Sequence, residues 1–310
     1  RYTVDLFFSI KLLRKFIKAP VIIAVDPLNF FYAFLLKKIG GVEKVIFYTM
    51  DYGHKRFNNP LLNKVYHFFD RFAASRCDES WSACRKIADI RKKQGVPESK
   101  NIYIPNSPIL HDIAVKPLDE IDRFSLVCLF SNYLQVDFKI MFDAMAILYG
   151  KFPEIKLKLI GRGDFKREIE HLVHNKDILN NIEFLDIYSH TEALREISKC
   201  AIGLECNTQT LTWNEFREPI KIREYIAFGL PVISKPGHAL VEDIERDGIG
   251  FIVTDTGEFV KAVEAFFCDF TYYVRVREKV IELGILYDKK RILDTVLLKN
   301  VGNNILLERK

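Results

Sequence analysis

The residues whose types and spacing are best suited to ligand binding are Lys221 and Glu224. They lie near the start of a helix that the sequence predicts at residues 220–227. The first turn of a helix presents unpaired N–H groups and a positive partial charge, which suit a pyrophosphate, and Lys221 adds a full charge. A glutamate carboxylate can accept hydrogen bonds from both hydroxyls of a ribose. The pair therefore predicts a nucleoside diphosphate site. The alternative is an ordinary amphipathic helix with a surface lysine and glutamate.

Further polar side chains follow predicted strands, at the sheet edge where α/β folds bind ligands. A strand at residues 156–160 leads into a glycine turn with Gly161 and Arg162, and a guanidinium there can form two hydrogen bonds with a phosphate. Asp51 and His54 follow a strand at 45–48 and are candidates for steering a reacting hydroxyl or for stabilising developing charge. The alternative for this loop is a turn-forming aspartate and a solvent-exposed histidine.

Short apolar strands alternate with amphipathic helices along most of the chain, which is the pattern of parallel sheets covered by helices. Strands are predicted at residues 21–25, 45–48, 79–81, 102–104, 125–130, 156–160, 182–185, 201–204, 231–234 and 250–253. Helices are predicted at 30–38, 61–74, 83–93, 139–151, 166–174, 191–198, 220–227, 259–267, 272–283 and 290–298.

A linker at about residues 108–122 contains prolines and charged residues and shows no clear hydrophobic periodicity. It divides the strands and helices into two series, one before it and one after it. The expected fold class is α/β, with two Rossmann-like parallel-sheet domains that face each other across a cleft. The domains are predicted at 1–115 and 116–310. This division leaves open whether the final helix packs back on the first domain.

The stretch at residues 218–234 resembles the P-x-K-x-x-E-Y-x-A-x-G-x-P-V-I signature of retaining GT-B glycosyltransferases of the group 1 type, also called glycosyltransferase family 4. The turn at 159–164 and the strand at 181–190 resemble further segments of that family. The similarity runs from about residue 20 to the C-terminus, so we expect the family's N-terminal start to be missing here. The fixed positions of the signature are all present: Pro219, Lys221, Glu224, Tyr225, Ala227, Gly229, Pro231, Val232 and Ile233.

The resemblance implies a GT-B fold and transfer of a sugar, with retention, from a UDP- or GDP-linked donor to a glycan or lipid-linked acceptor. It implies no cofactor and no metal, and a role in cell-surface polysaccharide synthesis. Three residues are implied as catalytic, two of them on the acceptor side: Asp51, His54 and Glu224. The implied donor-binding residues are Gly161, Arg162, Arg217, Glu218, Lys221, Glu224 and Tyr225.

Two departures from the family pattern bear on this assignment. Phe216 stands where many relatives carry the first of two glutamates, and Ser131 and Val136 stand where many carry an arginine and a lysine. The lost charge must come from other basic residues, for which the candidates are Arg162, Arg217, Lys221 and Lys139. The missing basic pair keeps open a nucleotide-sugar-binding relative without transfer activity. A sugar-nucleotide epimerase with the same architecture is a further alternative.

Composition indicates which partners and which cellular compartment to expect. The formal net charge is +5, and the basic residues are not interleaved with aromatics, so nucleic acid is not an expected partner. Six cysteines without a C-x-x-C pair indicate reduced thiols in a cytoplasmic protein. His171 and His174 lie three residues apart on a predicted helix, and no third metal ligand accompanies them.

The hydropathy pattern predicts no membrane span, because no apolar run reaches the roughly 18 residues that a span requires. Residues 2–18 are amphipathic and basic, so they either cover a sheet or lie on an anionic membrane surface. We expect a cytoplasmic protein, with peripheral contact at the inner face of the plasma membrane as the option that a lipid-linked acceptor suggests.

Overall fold

The computed structural model describes residues 19–109, 114–163, 165–187, 189–208 and 214–305. The amphipathic segment at 2–18 lies outside them. The chain divides into two compact units. The first runs to Asn106 and includes the segment that ends at Glu218, whereas the second begins at Ser107 and resumes at Pro219.

In the first unit, the described strands form one parallel sheet in the order β1-β2-β3-β4. Its strands are β1 (Ala19–Val25), β2 (Val42–Thr49), β3 (Glu79–Ser82) and β4 (Asn101–Tyr103). Its helices are α1 (Pro27–Lys38), α2 (Pro60–Arg76) and α3 (Arg85–Lys93). A small core of Phe30, Val45, Phe47 and Ala73 joins helices to sheet.

A buried ionic network fixes the carboxyl end of β2 in this unit. The Arg91 guanidinium donates to both Asp70 carboxylate oxygens at 2.7 Å and to Thr49 Oγ1 at 2.8 Å. Gln94 completes the network by donating to Asp70 at 3.0 Å. A buried charge pair needs such additional hydrogen bonds to offset its desolvation. The loop that carries Asp51 therefore starts from a rigid strand end.

In the second unit, the described strands form a parallel sheet in the order β10-β9-β8-β5-β6-β7. The strands are β5 (Asp122–Leu129), β6 (Lys156–Gly161), β7 (Ile182–Asp186), β8 (Cys200–Glu205), β9 (Val232–Ser234) and β10 (Gly250–Ile252). The chain builds outward from β5 to β7 and then crosses to β8 on the other side of β5. The order of strands thus reverses between β5 and β8, which is where open parallel sheets bind ligands.

The helices of the second unit cover this sheet. They are α4 (Phe138–Tyr149), α5 (Phe165–Glu170), α6 (His190–Ile197), α7 (Ile220–Ala227), α8 (Val241–Asp247), α9 (Thr256–Cys268), α10 (Phe270–Leu286) and α11 (Lys289–Ile305). They share with the strands one continuous apolar core, in which Leu126, Ile202, Ile222 and Phe266 are among the fully buried members.

The predicted alternation of strands and helices is confirmed, and two details differ. The helix predicted at 166–174 ends at Glu170, because Asn175 caps a separate 3₁₀ turn at Lys176–Asn181. Helix Val241–Asp247 was not predicted, since it is only a short helix that ends at Gly248 in the left-handed conformation. Such a short helix shows too few turns for a periodic pattern to be recognised.

Candidate functional site

A cavity of about 460 Å³ opens at the carboxyl ends of the central strands of the second unit. It lies beside the point where the strand order reverses, and the starts of α6 and α7 close its sides. Its lining combines apolar walls with a small set of polar groups, as ligand sites do. The lining residues are Leu129, Phe130, Ser131, Ile160, Gly161, Arg162, Ile187, Ser189, His190, Ala193, Ile220, Lys221 and Glu224.

The two ends of helix α7 differ in whether side chains bond their backbone groups. At its start Pro219 is the N-cap residue, and among the described residues no side chain caps the first N–H groups. At its other end the buried Arg277 donates to the carbonyl oxygens of Gly229 at 2.8 Å and Phe228 at 3.2 Å. The carbonyl end is thereby satisfied within the protein, while the N–H end and its positive partial charge face the cavity.

Glu224 projects from the second turn of α7 and is 2% exposed. Its Oε1 lies 2.7 Å from Nε2 of His190, the first residue of α6. Its Oε2 is buried and has no hydrogen-bond partner among the described residues. A buried carboxylate oxygen without a partner is costly, so this atom is positioned to accept a hydrogen bond from a ligand.

Lys221 lies one turn earlier on α7 and forms an ion pair at the end of β8. Its Nζ is 2.8 Å from Oε2 of Glu205, and the two side chains are 13% and 1% exposed. Glu205 is not among the residues that line the cavity. The pair holds the ammonium at the mouth of the helix, and it offsets part of the positive charge offered to a ligand.

Tyr225 is fully buried and does not line the cavity. Strands β5 and β8 pair as far as Val127 and Gly203. Beyond that point the Tyr225 hydroxyl accepts from the Leu129 N–H at 2.9 Å and donates to the Leu204 carbonyl at 3.1 Å. Burial raises the pKa of this phenol well above its ordinary value. The structure therefore gives Tyr225 a positioning role: it holds α7 against the two separating strands.

Gly203 makes this arrangement sterically feasible. A Cβ atom on Gly203 would lie 2.3 Å from Cγ of Tyr225, closer than any real contact. Gly161 has the same kind of role in the cavity wall, because a Cβ there would lie 2.4 Å from the ring of Phe130. The glycine turn thus serves close packing, and the exposed Arg162 that follows it lines the cavity.

Ser131 and Val136 stand where the family pattern has basic residues, and Lys139, the nearest basic residue in sequence, does not bring positive charge to the cavity. Ser131 lines the cavity, whereas Val136 is buried and forms a bridge with Asn207. Lys139 pairs with Asp143 on the exposed face of α4 and does not line the cavity. Of the proposed substitutes, the structure places Lys221 and Arg162 at the cavity.

Arg217 and Glu218 belong to the first unit. The buried Glu218 carboxylate accepts from the Tyr103 hydroxyl at 2.7 Å and from the Asn106 N–H at 3.0 Å. Arg217 is half-buried. These contacts tie the segment that precedes α7 to the end of β4, and donor binding by Arg217 and Glu218 stays a prediction.

Asp51 and His54 are exposed in the loop that follows β2. The His54 ring packs edge-on against Phe216, with ring centroids 5.3 Å apart, and Tyr52 packs against the same ring at 5.0 Å. The Phe216 carbonyl accepts from the Cys84 thiol at 3.2 Å. Where relatives carry a glutamate, this chain therefore has the centre of an aromatic cluster within the first unit.

Sequence reasoning missed His190 and Glu205 as site residues. Glu205 had a visible signal, since it is an acidic residue that ends an otherwise apolar strand. His190 follows a strand and starts a helix, which is a common place for ligand contacts. Neither pairing is apparent from local sequence, because each partner lies on α7.

Within the residues that the structure describes, no group of three or more histidine, cysteine or acidic side chains could hold a metal ion. Within the same residues, no helix combines the length and apolarity needed to cross a bilayer.

One protein family matches part of this chain. Residues 133–282 match the model of a family described as glycosyl transferases group 1. Among curated protein sequences, none matches the chain.

Solved structures resemble both units of the chain. HepE from Anabaena, in complex with UDP, superposes with a TM-score of 0.72 at 12% identity, over 95% of this chain and 82% of that one. Sucrose-phosphate synthase from Thermosynechococcus elongatus gives 0.63 at 15% identity, over 93% and 74%. The pneumococcal O-GlcNAc transferase GtfA, in complex with UDP and GlcNAc, gives 0.64 at 14% identity, over 96% and 58%. The likeness shows the GT-B fold and confirms the predicted fold class.

Proposed function

We propose that the cavity of the second unit, whose lining lies largely within the residues that match the glycosyl transferases group 1 model, binds a nucleoside diphosphate sugar. The sugar would be UDP- or GDP-linked and would serve as the donor for transfer with retention. The observation that carries the proposal is the buried Glu224, one of whose oxygens has no partner among the residues that the structure describes. It lies one helical turn from Lys221, at a helix N-terminus that no described side chain caps. A ribose hydroxyl and a diphosphate are the two parts of one ligand that satisfy these two features together.

The diphosphate would occupy the start of α7. The N–H groups of the first turn, the Lys221 ammonium and the Arg162 guanidinium offer donors and positive charge there. During transfer the bond between the anomeric carbon and the β-phosphate oxygen breaks, and negative charge grows on the departing diphosphate. Donors that are already oriented stabilise this charge without reorganisation, which is how a site with no divalent cation can promote departure.

The acceptor would be a glycan or a lipid-linked sugar, whose hydroxyl oxygen forms the new bond to the anomeric carbon. Asp51 and His54 are the proposed residues on the acceptor side, for steering that hydroxyl or for stabilising charge as its proton leaves. We propose a role in cell-surface polysaccharide synthesis, in the cytoplasm at the inner face of the plasma membrane, because lipid-linked acceptors are found there.

A second candidate is a binding protein for nucleotide sugars that does not turn them over. It is favoured by Phe216, whose ring fills the position of a family glutamate, and by the uncharged Ser131 and Val136. In this case the cavity would bind the donor without supplying the groups that promote transfer.

One experiment separates the two candidates. Purified protein is incubated with UDP- and GDP-linked sugars, with and without a lipid-linked oligosaccharide acceptor, and released UDP or GDP is quantified. Transfer predicts release that depends on the acceptor and falls at least about a hundredfold in Glu224→Ala, as removal of a key electrostatic contact does. Retention predicts that NMR of the product shows the same anomeric configuration as the donor.

Binding of the donor without acceptor-dependent release would support the second candidate. Conversion of the donor into an epimer without release of UDP or GDP would identify an epimerase. Failure to bind any of these donors would contradict both proposals for the cavity.

A further inference from the structure

His190 is the group that restrains Glu224 in the cavity. Its Nε2 lies 2.7 Å from Oε1 of that carboxylate. Because an ionised carboxylate carries only acceptors, the hydrogen of this bond belongs to the His190 ring. One acceptor site of Oε1 is thereby used, whereas Oε2 is buried and has no partner within the described part of the chain.

The backbone of His190 is held independently of Glu224. His190 is the first residue of α6, whose N-cap Ser189 accepts from the Glu192 N–H through its side chain. The His190 side chain is 55% exposed, and both His190 and Ser189 line the cavity. A donor on a capped helix start can therefore fix the rotation of the carboxylate on α7, which a freely rotating glutamate would not achieve.

We propose that His190 is a positioning residue, which holds Glu224 so that a single oxygen, Oε2, receives one ribose hydroxyl of the donor. This inference rests on the proposed function and adds an asymmetry to it. A carboxylate with both oxygens open would bind the 2′- and 3′-hydroxyls equally. With one acceptor site of Oε1 used by His190, one of the two hydroxyls carries most of the contact.

The test measures equilibrium binding by calorimetry, using UDP or GDP, whichever binds wild-type protein more tightly, and its 2′-deoxy and 3′-deoxy analogues. In wild-type protein one deoxy analogue is expected to lose about tenfold in affinity and the other no more than about threefold. The compared variants are His190→Ala, which removes the donor, and His190→Gln, which keeps an N–H donor on a side chain of similar reach. His174→Ala is the matched control, because His174 is exposed in the same unit and does not line the cavity.

His190→Ala is expected to weaken binding of the parent diphosphate about tenfold and to reduce the difference between the deoxy analogues. His190→Gln is expected to stay within about threefold of wild type and keep the difference, which a purely structural role of the ring would not predict. In transfer assays, His190→Ala is expected to raise KM for the donor more than it lowers kcat.

The inference is overturned if wild-type protein loses equally with both deoxy analogues, or if His190→Ala binds like wild type, or if the alanine and glutamine variants lose equally. In each case the parent diphosphate still binds, so the proposed function stands. Wild-type protein that binds neither UDP nor GDP would overturn both the proposed function and this inference.

Discussion

The Lys221 ammonium lies 2.8 Å from Oε2 of Glu205, and Glu205 is almost completely buried at the end of β8. The cation at the start of α7 is therefore already paired within the protein. A bound diphosphate would share this cation with a fixed carboxylate. In the proposed function, Glu205 would thus limit how tightly the site holds a diphosphate, including the UDP or GDP released after transfer.

Glu205→Gln is the change that tests this limit. Glutamine has nearly the same volume and removes only the charge, so Lys221 becomes fully available to a phosphate. We expect affinity for UDP or GDP to rise about three- to tenfold, with a steeper loss of binding as salt is added. Calorimetric titrations at two salt concentrations measure both effects. Weaker binding in Glu205→Gln would show that the carboxylate assists binding by orienting Lys221.

Lys221→Ala affects stability as well as binding. It removes the ammonium that pairs with the buried Glu205 carboxylate, which we expect to destabilise the second unit by about 3–5 kcal/mol. The double variant Lys221→Met with Glu205→Leu removes both charges and should recover most of this loss. Urea unfolding measures the stabilities of the single and double variants.

Binding separates the role of Lys221 in the site from its role in the fold. Neither variant should bind a nucleoside diphosphate as tightly as wild type, because both lack the ammonium. A double variant with full stability and wild-type affinity would remove Lys221 from the site.

Tyr225→Phe should weaken the attachment of α7 to the sheet. It removes the hydroxyl that bonds the Leu129 N–H and the Leu204 carbonyl, and it leaves these backbone groups without that partner. We expect a loss of about 1–3 kcal/mol in the free energy of unfolding. Tyr149→Phe, on a partly buried tyrosine of α4, should cost no more than about 0.5 kcal/mol. Equal effects of the two changes would contradict the positioning role of Tyr225.

The thiols are predicted to stay reduced and unreactive in the folded chain, apart from the exposed Cys268. Burial raises the pKa of Cys200 to about 12 and that of Cys128 to about 12. Since the thiolate is the reactive form, a disulfide reagent at pH 8 should modify Cys268 rapidly and the other thiols only upon unfolding. Rapid modification of more than one thiol in native protein would contradict the burial that the structure shows for Cys77, Cys84, Cys128, Cys200 and Cys206.

The same raised pKa values predict how stability depends on pH. Between the pKa of an unfolded cysteine, about 8.5, and the folded value, the folded chain binds more protons than the unfolded chain. Stability is therefore full below about pH 8.5 and falls as the pH rises. Each deeply buried thiol should contribute a loss of about 1 kcal/mol between pH 7.5 and 9.5 in urea unfolding. Cys200→Ala should make this fall shallower, and an unchanged slope would contradict the assignment.

Much of the fold could be predicted from the sequence, because the buried strands and amphipathic helices have strong local patterns. Helix α7 and the placement of Lys221 and Glu224 at its start also follow from local sequence, including Pro219 before the helix and Gly229 after it. What local sequence does not contain is the tertiary pairing. His190 meets Glu224 and Glu205 meets Lys221 only because Tyr225 and Gly203 fix α7 over the gap between β5 and β8.

Local sequence also does not show that Arg217 and Glu218 belong to a different compact unit from Lys221. Arg217, Glu218 and Lys221 are close in sequence, yet the chain passes from one compact unit to the other between Glu218 and Pro219. Glu218 is therefore bonded to Tyr103 and Asn106, although its position beside the signature suggested a contact with the donor. A pattern of residue types cannot show which side of such a boundary a carboxylate serves.

Calorimetric titration with UDP and GDP decides whether Glu224 binds a nucleoside diphosphate in the second unit. The proteins compared are wild type, Glu224→Ala and the control Glu168→Ala, which changes an exposed glutamate of α5 in the same unit. We expect saturable binding to wild type and control, and at least about tenfold weaker binding to Glu224→Ala. Equal affinity in all three proteins would contradict this role of Glu224.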